Sequence, residues 1–511
     1  MSLLSFDIGS SHCKGALFSE GGQILAQSAQ AYYPQFPQAQ FAEMNPEVFW
    51  SAVCTISRTL TLQSGDDPVR ALSLSSHGET FVPLGPNGDA LSPAILNIDN
   101  RGTSQAAWIA EQFGRKKLFR ATGQIISPIY TLTKILWLKQ HCSELFRATR
   151  CFASVPTYLL LRMKLPPFVD YSLASRYLAF DIHSCQWSYE LVSMVDLIAD
   201  RLPTPAPAGT VAGKLSAEIA GNLGVPPGTA VVLGGHDQAC GALGTGTVQA
   251  GCTSDSMGTY ECILTSSRGP QLNEAAFAAG LNSAFHVVQG QYTTLAYFPA
   301  GIMLQWFHNL FYGNATSDGN SSDEGTHLAQ LEAQAPAGPS GLCVTPHLIG
   351  TCNPDFNTDA RAAITGLFTG ASRVHIFKGI LEGIACELLT VAESMEGALG
   401  KLGDFFATGG GSGSKTGLEL RASFTGKRFH LMHCQEAVCL GGAILAAVAL
   451  GVYRDIPQAV SQMVREKEVI EPNPQIARAY CEQIERYRAL VPALESVRKI
   501  GAPTLHRGDE K

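Results

Sequence analysis

At two places in this chain an acid is followed closely by a glycine and hydroxyl residues. The first is Asp7-Ile8-Gly9-Ser10-Ser11, and the second is Asp255-Ser256-Met257-Gly258-Thr259. Residues 3–18 read as a strand, a tight Gly-Ser-Ser turn and a second strand, followed by a Gly21-Gly22 hairpin, and residues 253–261 read as a second start of the same theme. A chain that opens in this way twice is constrained to two related halves. Each turn has the makings of an anion cradle: Gly9 lets backbone approach, Ser10 and Ser11 offer donors, Lys14 supplies positive charge, and Asp7 is placed to hold Mg²⁺ through water. Taken alone, either match is equally an ordinary hairpin. The length agrees with two halves, because 511 residues exceed what one core fills. The division falls at residues 1–246 and 247–511.

Between the two turns, residues 229–233 read as a buried strand that Gly234-Gly235 ends, which delivers Asp237 to a strand's carboxyl end. Ligands gather at such ends in open α/β sheets, so Asp237 reads as a general base. The rival reading is a cap for the helix that follows at 238–242. A strand at 69–75 ends in Ser76-His77-Gly78-Glu79-Thr80, and another at 94–98 delivers Asp99-Asn100-Arg101. Two polar clusters at successive strand ends ask for a small ligand with several hydroxyls. The plainer readings are a satisfied loop histidine for His77 and a surface ion pair for Arg101. Pro46 opens an amphipathic helix that runs through Leu60. Residues 108–202 are mainly helical and read as an insertion lining one side of the site, and residues 203–207 are a stiff connector.

In the second half a loop rich in Ser, Asn, Asp and Gly spans 314–325. A long helix covers 376–395, and the strand at 405–408 runs into Gly409-Gly410-Gly411 before a helix at 416–424. Adjacent glycines at a strand-to-helix junction let a flat ring or a phosphate lie on bare backbone.

Composition narrows the partners. Thirty-six Lys and Arg against 43 Asp and Glu give a net charge of -7, so there is no basic field for nucleic acid or an anionic membrane. The 14 cysteines contain no Cys-x-x-Cys pair, which signals neither a zinc site nor a disulfide framework and fits a reducing cytoplasm. The uncharged, largely apolar run 437–453 contains three glycines at 441, 442 and 451 and reads as a buried helix. The first residues enter a strand with no secretory leader.

In their order, these motifs resemble the FGGY family of carbohydrate kinases over nearly the whole chain. Asp7 to Ser11 with Lys14 resembles the family's first phosphate motif, with Ser in place of the usual Thr. Residues 95–101 resemble its sugar-contacting strand, although Asn97 stands where Trp is common. Gly235-His236-Asp237-Gln238 resembles the Gly-x-Asp-Asn/Gln that carries the catalytic base. Gly258-Thr259 resembles the second phosphate motif, and Gly301 with Gln305-Trp306 a nucleotide-contacting helix. Gly409-Gly410-Gly411 to Ser414, with Glu436-Ala437 and residues 440–443, resembles the adenosine motifs.

The resemblance implies two ribonuclease H-like, actin-type α/β domains around a cleft that closes on sugar and ATP-Mg²⁺. It implies Asp237 as base, with His77, Glu79, Asp99, Arg101, Asp237 and Gln238 on the sugar. It places Gly9, Ser10, Ser11, Lys14, Gly258, Thr259, Gly301, Gln305, Gly410, Gly411 and Ser414 on the nucleotide, and Asp7 on the metal. A homodimer is a common family arrangement. Ungapped counting puts Glu79-Thr80 on the glycerol kinase pattern, without the Arg that branch has at Gly78, and a two-residue shift puts His77-Gly78 on the xylulokinase pattern. The number of donors favours a pentulose of the D-xylulose kind, with a glycerol- or erythritol-type polyol as the alternative. From other classes, an ATP-dependent sensor or assembly protein has no need of a base beside a polyol site. A nicotinamide-linked dehydrogenase lacks the Gly-x-Gly-x-x-Gly spacing.

Overall fold

A computed structural model describes residues 2–63, 67–313 and 322–500. Two large mixed sheets carry it, and only their strands are numbered below. The first contains β1 (Ser2–Ile8), β2 (His12–Ser19), β3 (Ile24–Ala31), β4 (Val69–Ser76), β5 (Val211–Lys214) and β6 (Ala230–His236), in the order β5-β6-β4-β1-β2-β3. The second contains β7 (Thr253–Met257), β8 (Tyr260–Ser267), β9 (Asn282–Phe285), β10 (Tyr292–Pro299), β11 (Phe405–Thr408), β12 (Phe429–Met432) and β13 (Glu466–Ile470), in the order β9-β10-β8-β7-β11-β12-β13.

The sheets repeat each other. β1 pairs antiparallel with β2 and parallel with β4, and β4 runs parallel to β6. In the same way β7 pairs antiparallel with β8 and parallel with β11, and β11 runs parallel to β12. An antiparallel edge strand closes each, β5 on β6 and β13 on β12. The edge strands enter differently, since β5 precedes its partner in the chain and β13 follows it. This is the duplicated α/β architecture that the resemblance implies.

The helices that position the site are α1 (Glu47–Thr61), α2 (Thr131–His141), α3 (Asp237–Gly244), α4 (Gly301–Tyr312), α5 (Ser322–Gln334), α6 (Arg373–Leu399), α7 (Lys415–Thr425) and α8 (Ala437–Ala449). Pro46 caps α1, whose buried face includes Ala52, Ile56 and Leu60. α8 lies within the apolar run 437–453, and among the described residues no helix is long and apolar enough to cross a membrane.

α8 leaves its own half. Its Leu440, Ala443 and Ile444 pack with Leu3, Ala71, Ala230 and Val232 of the first sheet. Conversely, Ala242 of α3 packs against Leu264 and Leu295 of the second sheet. The two helices cross backbone to backbone: a Cβ on Gly244 would lie 1.9 Å from the Ala437 carbonyl oxygen, and one on Gly441 would lie 2.0 Å from that of Cys240. The cut expected at 246/247 therefore separates the sheets in sequence but does not separate their cores.

Other expectations needed adjusting. The strand expected at 94–98 is only Ala94–Ile95, because the Asp99 carboxylate bends the next residues by accepting the Ala42 and Arg101 N–H groups. Of the loop expected at 314–325, residues 314–321 lie outside the described residues, and the rest opens α5. Residues Thr204–Ala206 of the stiff connector pair in parallel with Phe168–Asp170.

Candidate active site

Asp237 begins α3 directly after β6, with its side chain 21% exposed. Its Oδ1 accepts the Gln238 N–H at 2.6 Å, and His236 Nε2 lies 3.4 Å from the same oxygen. Burial, and then the neighbouring charge of Asp7, push its carboxyl up to about 8; Glu79 adds to this, while the Gln238 N–H and Arg176 oppose it. Burial, and then the charge of Arg176, hold His236 far below its ordinary range, so its ring is neutral.

The base stands on the helical insertion. The His236 N–H donates to Ser172 Oγ at 2.8 Å, and Ser172 Oγ donates to Asp170 Oδ2 at 2.6 Å. Asp170 also takes the N–H groups of Ser172 and Leu173 as the cap of a short helix, Tyr171–Ser175. A Cβ on Gly235 would lie 2.8 Å from Ser172 Oγ, so this close mount requires glycine.

Asp7 faces Asp237 from the end of β1. Burial pushes it up to about 6, with Lys14 opposing and Glu436 adding. Lys14 Nζ reaches the two Glu436 oxygens at 3.3 and 3.2 Å and is 47% exposed. Glu436, read from sequence beside the adenosine motifs, belongs instead to this acidic corner, because it immediately precedes α8, which crosses to the first sheet. Gly9, Ser10 and Ser11 form the turn beside it, closed by the Gly9 N–H to the His12 carbonyl at 2.8 Å.

Glu79 sits at φ +59°, a left-handed conformation uncommon for a residue with a side chain. Two donors hold its carbonyl there: Thr131 Oγ1 and Lys134 Nζ of α2, each at 3.0 Å. Lys134 is wholly buried, also donates to the Leu96 carbonyl at 2.7 Å, and is pushed down to about 7 by its burial. One amine thus ties together the strand ends that carry Glu79 and Asp99. The Glu79 Oε1 accepts Arg176 Nε at 2.6 Å and also pairs with Arg176 Nη2. Arg176 Nη1 donates to Gln124 Oε1 at 2.9 Å, and its guanidinium lies over the Tyr130 ring at 5.2 Å. A Cβ on Gly78 would lie 2.6 Å from Arg176 Cγ. Gly78 is therefore the gap through which Arg176 reaches Glu79.

Three residues expected on the sugar are committed elsewhere. His77 has both ring nitrogens engaged, Nδ1 with the Ile8 carbonyl at 2.8 Å and Nε2 with Thr80 Oγ1 at 2.7 Å, and burial pushes it down to about 4. A neutral ring with Nδ1–H satisfies both contacts, so His77 struts the β1 turn against the Glu79 turn. Asp99 has no exposed surface; besides the Ala42 and Arg101 N–H groups it holds the Arg101 side chain. Arg101 spans Asp99 and Glu43 and stacks on Phe41, 4.0 Å from the ring centroid. This pair anchors residues 41–43 to the domain. Glu79, Asp237 and the half-buried Gln238 remain for a ligand.

In the second half, a cavity of about 500 Å³ opens beside β7 and β11. Gly258, Thr259, Gly301, Gln305, Gly410, Gly411 and Ser414 all line it, whereas Gly9, Ser10, Ser11 and Lys14 do not. The size suits a nucleoside. A Cβ on Gly410 or Gly413 would meet nothing within 4 Å, so bare backbone faces open space there. Leu304, Leu328, Phe377 and Ile384 supply apolar wall, which fits a purine ring. Beneath it Arg421 makes a two-pronged bond to Glu261, at 2.9 and 2.6 Å.

The same division appears in the comparisons with known proteins. The FGGY carbohydrate kinase family model for the N-terminal domain matches residues 2–244, and the model for the C-terminal domain matches residues 254–450. The chain belongs to the FGGY family of carbohydrate kinases. It is 27% identical to the xylulose kinase of Bacillus subtilis over 97% of this chain and 99% of that one. It is also 27% identical to the gluconokinase of that organism, over 90% of each. The solved structure of ligand-bound xylulose kinase from Lactobacillus acidophilus superposes with a TM-score of 0.86 at 23% identity, covering 98% of this chain and 99% of that one. That likeness shows the two-domain fold. An FGGY kinase takes ATP and a small sugar or polyol, which matches a nucleoside-sized cavity in one half and a buried acid beside hydrogen-bonding groups in the other.

Proposed function

We propose that this FGGY kinase transfers the γ-phosphoryl group of ATP to a hydroxyl of a pentulose of the D-xylulose kind, with Asp237 as the general base. The observation that carries the reading is Asp237 itself: a carboxyl raised to about 8 where Asp7, Glu79 and Arg176 all act on it. A carboxylate poised near neutrality accepts a proton from a hydroxyl efficiently, and a base of this kind contributes about 10²- to 10⁴-fold. Gln238 holds one oxygen by its N–H, which leaves the other for the acceptor hydroxyl. Lys14 and the Gly9 and Gly258 turns are placed to take phosphate charge, and positioning and charge neutralisation do most of the work in phosphoryl transfer.

Mg²⁺ suits the acidic corner. The charge of Asp7 raises Asp237, and that of Glu436 raises Asp7, so a cation relieves a crowding of negative charge. Among the described residues no three His, Cys, Asp or Glu side chains gather to hold a metal alone, which fits an ion that keeps water and nucleotide oxygens as ligands. Asp7 is the residue that would hold Mg²⁺ through water, and the ion would supply positive charge to the transferring phosphates.

Relatives named for xylulose and for gluconate are equally similar to this chain, so the acceptor is argued from the pocket. Glu79, Gln238, Asp237 and the Arg176 group offer more partners than a three-carbon polyol uses, and unmatched buried partners are costly. A panel of pentuloses, glycerol, erythritol and gluconate with ATP, read as ADP release, tests this. A pentulose should give the highest kcat/KM. Glycerol or erythritol in first place would overturn the acceptor, and no sugar-dependent ADP release would favour a non-catalytic ATP sensor. A cytoplasmic dimer completes the proposal, to be read from light scattering.

A further inference from the structure

We propose that the Glu79–Arg176 ion pair sets the charge of the acceptor pocket, admitting neutral sugars and excluding sugar acids. The inference rests on the kinase reading of the site and adds the charge class of the acceptor.

Among the described residues, each cation at the pocket is already matched. Arg176 gives Nε and Nη2 to Glu79 and Nη1 to Gln124. Lys14 is paired with Glu436, and Lys134 points its amine at two backbone carbonyls beneath the Glu79 turn. No positive charge is left over, since Glu79 cancels Arg176 and Asp7 adds a negative charge with no guanidinium or ammonium bonded to it. Both members of the pair are buried, with side chains 6% and 10% exposed. A carboxylate entering here would lose water without gaining a cation, and it would meet the negative charge of Glu79. A neutral hydroxyl meets the opposite situation. Glu79 Oε1 is taken by Arg176, while Oε2 accepts no hydrogen bond from the described residues and is free for a sugar O–H.

The pair is also built to stay closed. Gly78 has no side chain because Arg176 passes through that space, and the left-handed Glu79 is pinned by Thr131 and Lys134. Arg176 therefore cannot turn to a substrate carboxylate without leaving Glu79 unpaired. Glu79→Gln keeps the length and an oxygen for Arg176 but removes the countercharge, which frees one positive charge in the pocket.

The test is calorimetric titration of the full chain, without nucleotide, using D-xylulose and D-gluconate. The wild type should bind D-xylulose at least about tenfold more tightly than D-gluconate, the scale at which a single charged contact is usually felt. In Glu79→Gln that ratio should fall by at least about tenfold or invert. The double variant Glu79→Gln/Arg176→Gln, neutral again, should restore a preference for D-xylulose. The proposal is overturned by a wild type that binds D-gluconate as well as D-xylulose, or that binds neither, and by an unchanged ratio in a folded Glu79→Gln protein. If Glu79→Gln does not fold, the wild-type ratio and the double variant decide. Because binding is read without turnover, absence of sugar-dependent ADP release strikes the kinase reading and leaves this measurement standing.

Discussion

In the first hairpin the acid stands two residues before the glycine, Asp7 before Gly9, and in the second it stands three before, Asp255 before Gly258. Side chains alternate along a strand, so a shift of one residue turns the acid to the opposite face of the sheet. The register shows the result: Asp7 stands beside Ser75, and Ser256, not Asp255, stands beside Thr408 at the matching place. Asp7 is part-exposed in the acidic corner, while Asp255 is wholly buried and neither of its oxygens has a hydrogen-bond donor. Burial and the charge of Glu261 hold Asp255 well above the carboxylate range, with Arg421 opposing, so it is protonated and neutral. The acid that seemed to recur as a second phosphate acid is a core residue. The duplication kept the scaffold and gave acid chemistry to one half and bare-backbone recognition to the other.

The largest effect should come from the acid with no counterpart in the second half. Asp237→Asn should cut turnover by about 10²-fold or more while the KM for ATP stays within about twofold. The same substitution should raise thermal stability. Asp237 is held at about 8 in the folded protein against an ordinary 3.8, so between these values the folded state keeps a proton that the unfolded chain releases. Wild-type stability is then present at the acid end and lost as pH rises through the window. The advantage of the Asn variant should therefore grow from pH 4 to pH 8, by about 2–4 °C for each kcal/mol relieved. A melting temperature lower than wild type at pH 8 would contradict this account of the base.

The next contrast is between the two hairpin acids. Asp7→Asn should lower kcat/KM by about tenfold or more through the lost charge at the phosphate corner. Asp255→Asn should leave kcat within about twofold and keep or raise the melting temperature, because a neutral amide takes the place of a buried group that is costly to ionise. Equal losses in the two variants would show that the second acid is used after all.

The glycines sharpen the same division. Gly410→Val should raise the KM for ATP about tenfold and spare that for sugar, since its side chain would fill the cavity. Gly78→Ala should do the reverse, because its Cβ would strike Arg176 Cγ at 2.6 Å. The smallest effect is expected at Glu436→Gln. Its pair with half-exposed Lys14 is worth less than about 1 kcal/mol to stability. Glu436 raises Asp7, however, so Asp7 should titrate at lower pH in the variant, read from its carboxyl chemical shift. An unmoved Asp7 titration would remove Glu436 from the acidic corner.

The strands, the glycine turns and Asp237 were legible because each is written within a dozen neighbouring residues. The seven second-half residues expected on the nucleotide line one cavity. Arg176 was not legible, since it lies in a helical stretch nearly 100 residues from Glu79, and only the missing side chain at Gly78 hinted that something must pass there. Glu436 was assigned to the wrong neighbourhood because nothing local tells a helix which sheet it will cover. Asp170 and Ser172 had a local signal, an Asp-x-Ser cap, but a cap gives no sign that its hydroxyl will carry the peptide before the base. Asp99-Asn100-Arg101 looked like a ligand cluster, yet an acid and an arginine two apart are as well suited to hold each other.

The crossing of α3 and α8 bears on what happens if the chain is cut. Expressed alone, residues 1–246 would lack the helix that covers Leu3, Ala71, Ala230 and Val232, and their sheet would present an oily face to solvent. The fragment beginning at 247 would carry α8 with no surface to lie on. Neither piece is a self-standing unit, although each holds a complete sheet. Mixed together from denaturant they have a reason to find each other, because the wall each one needs is part of the other.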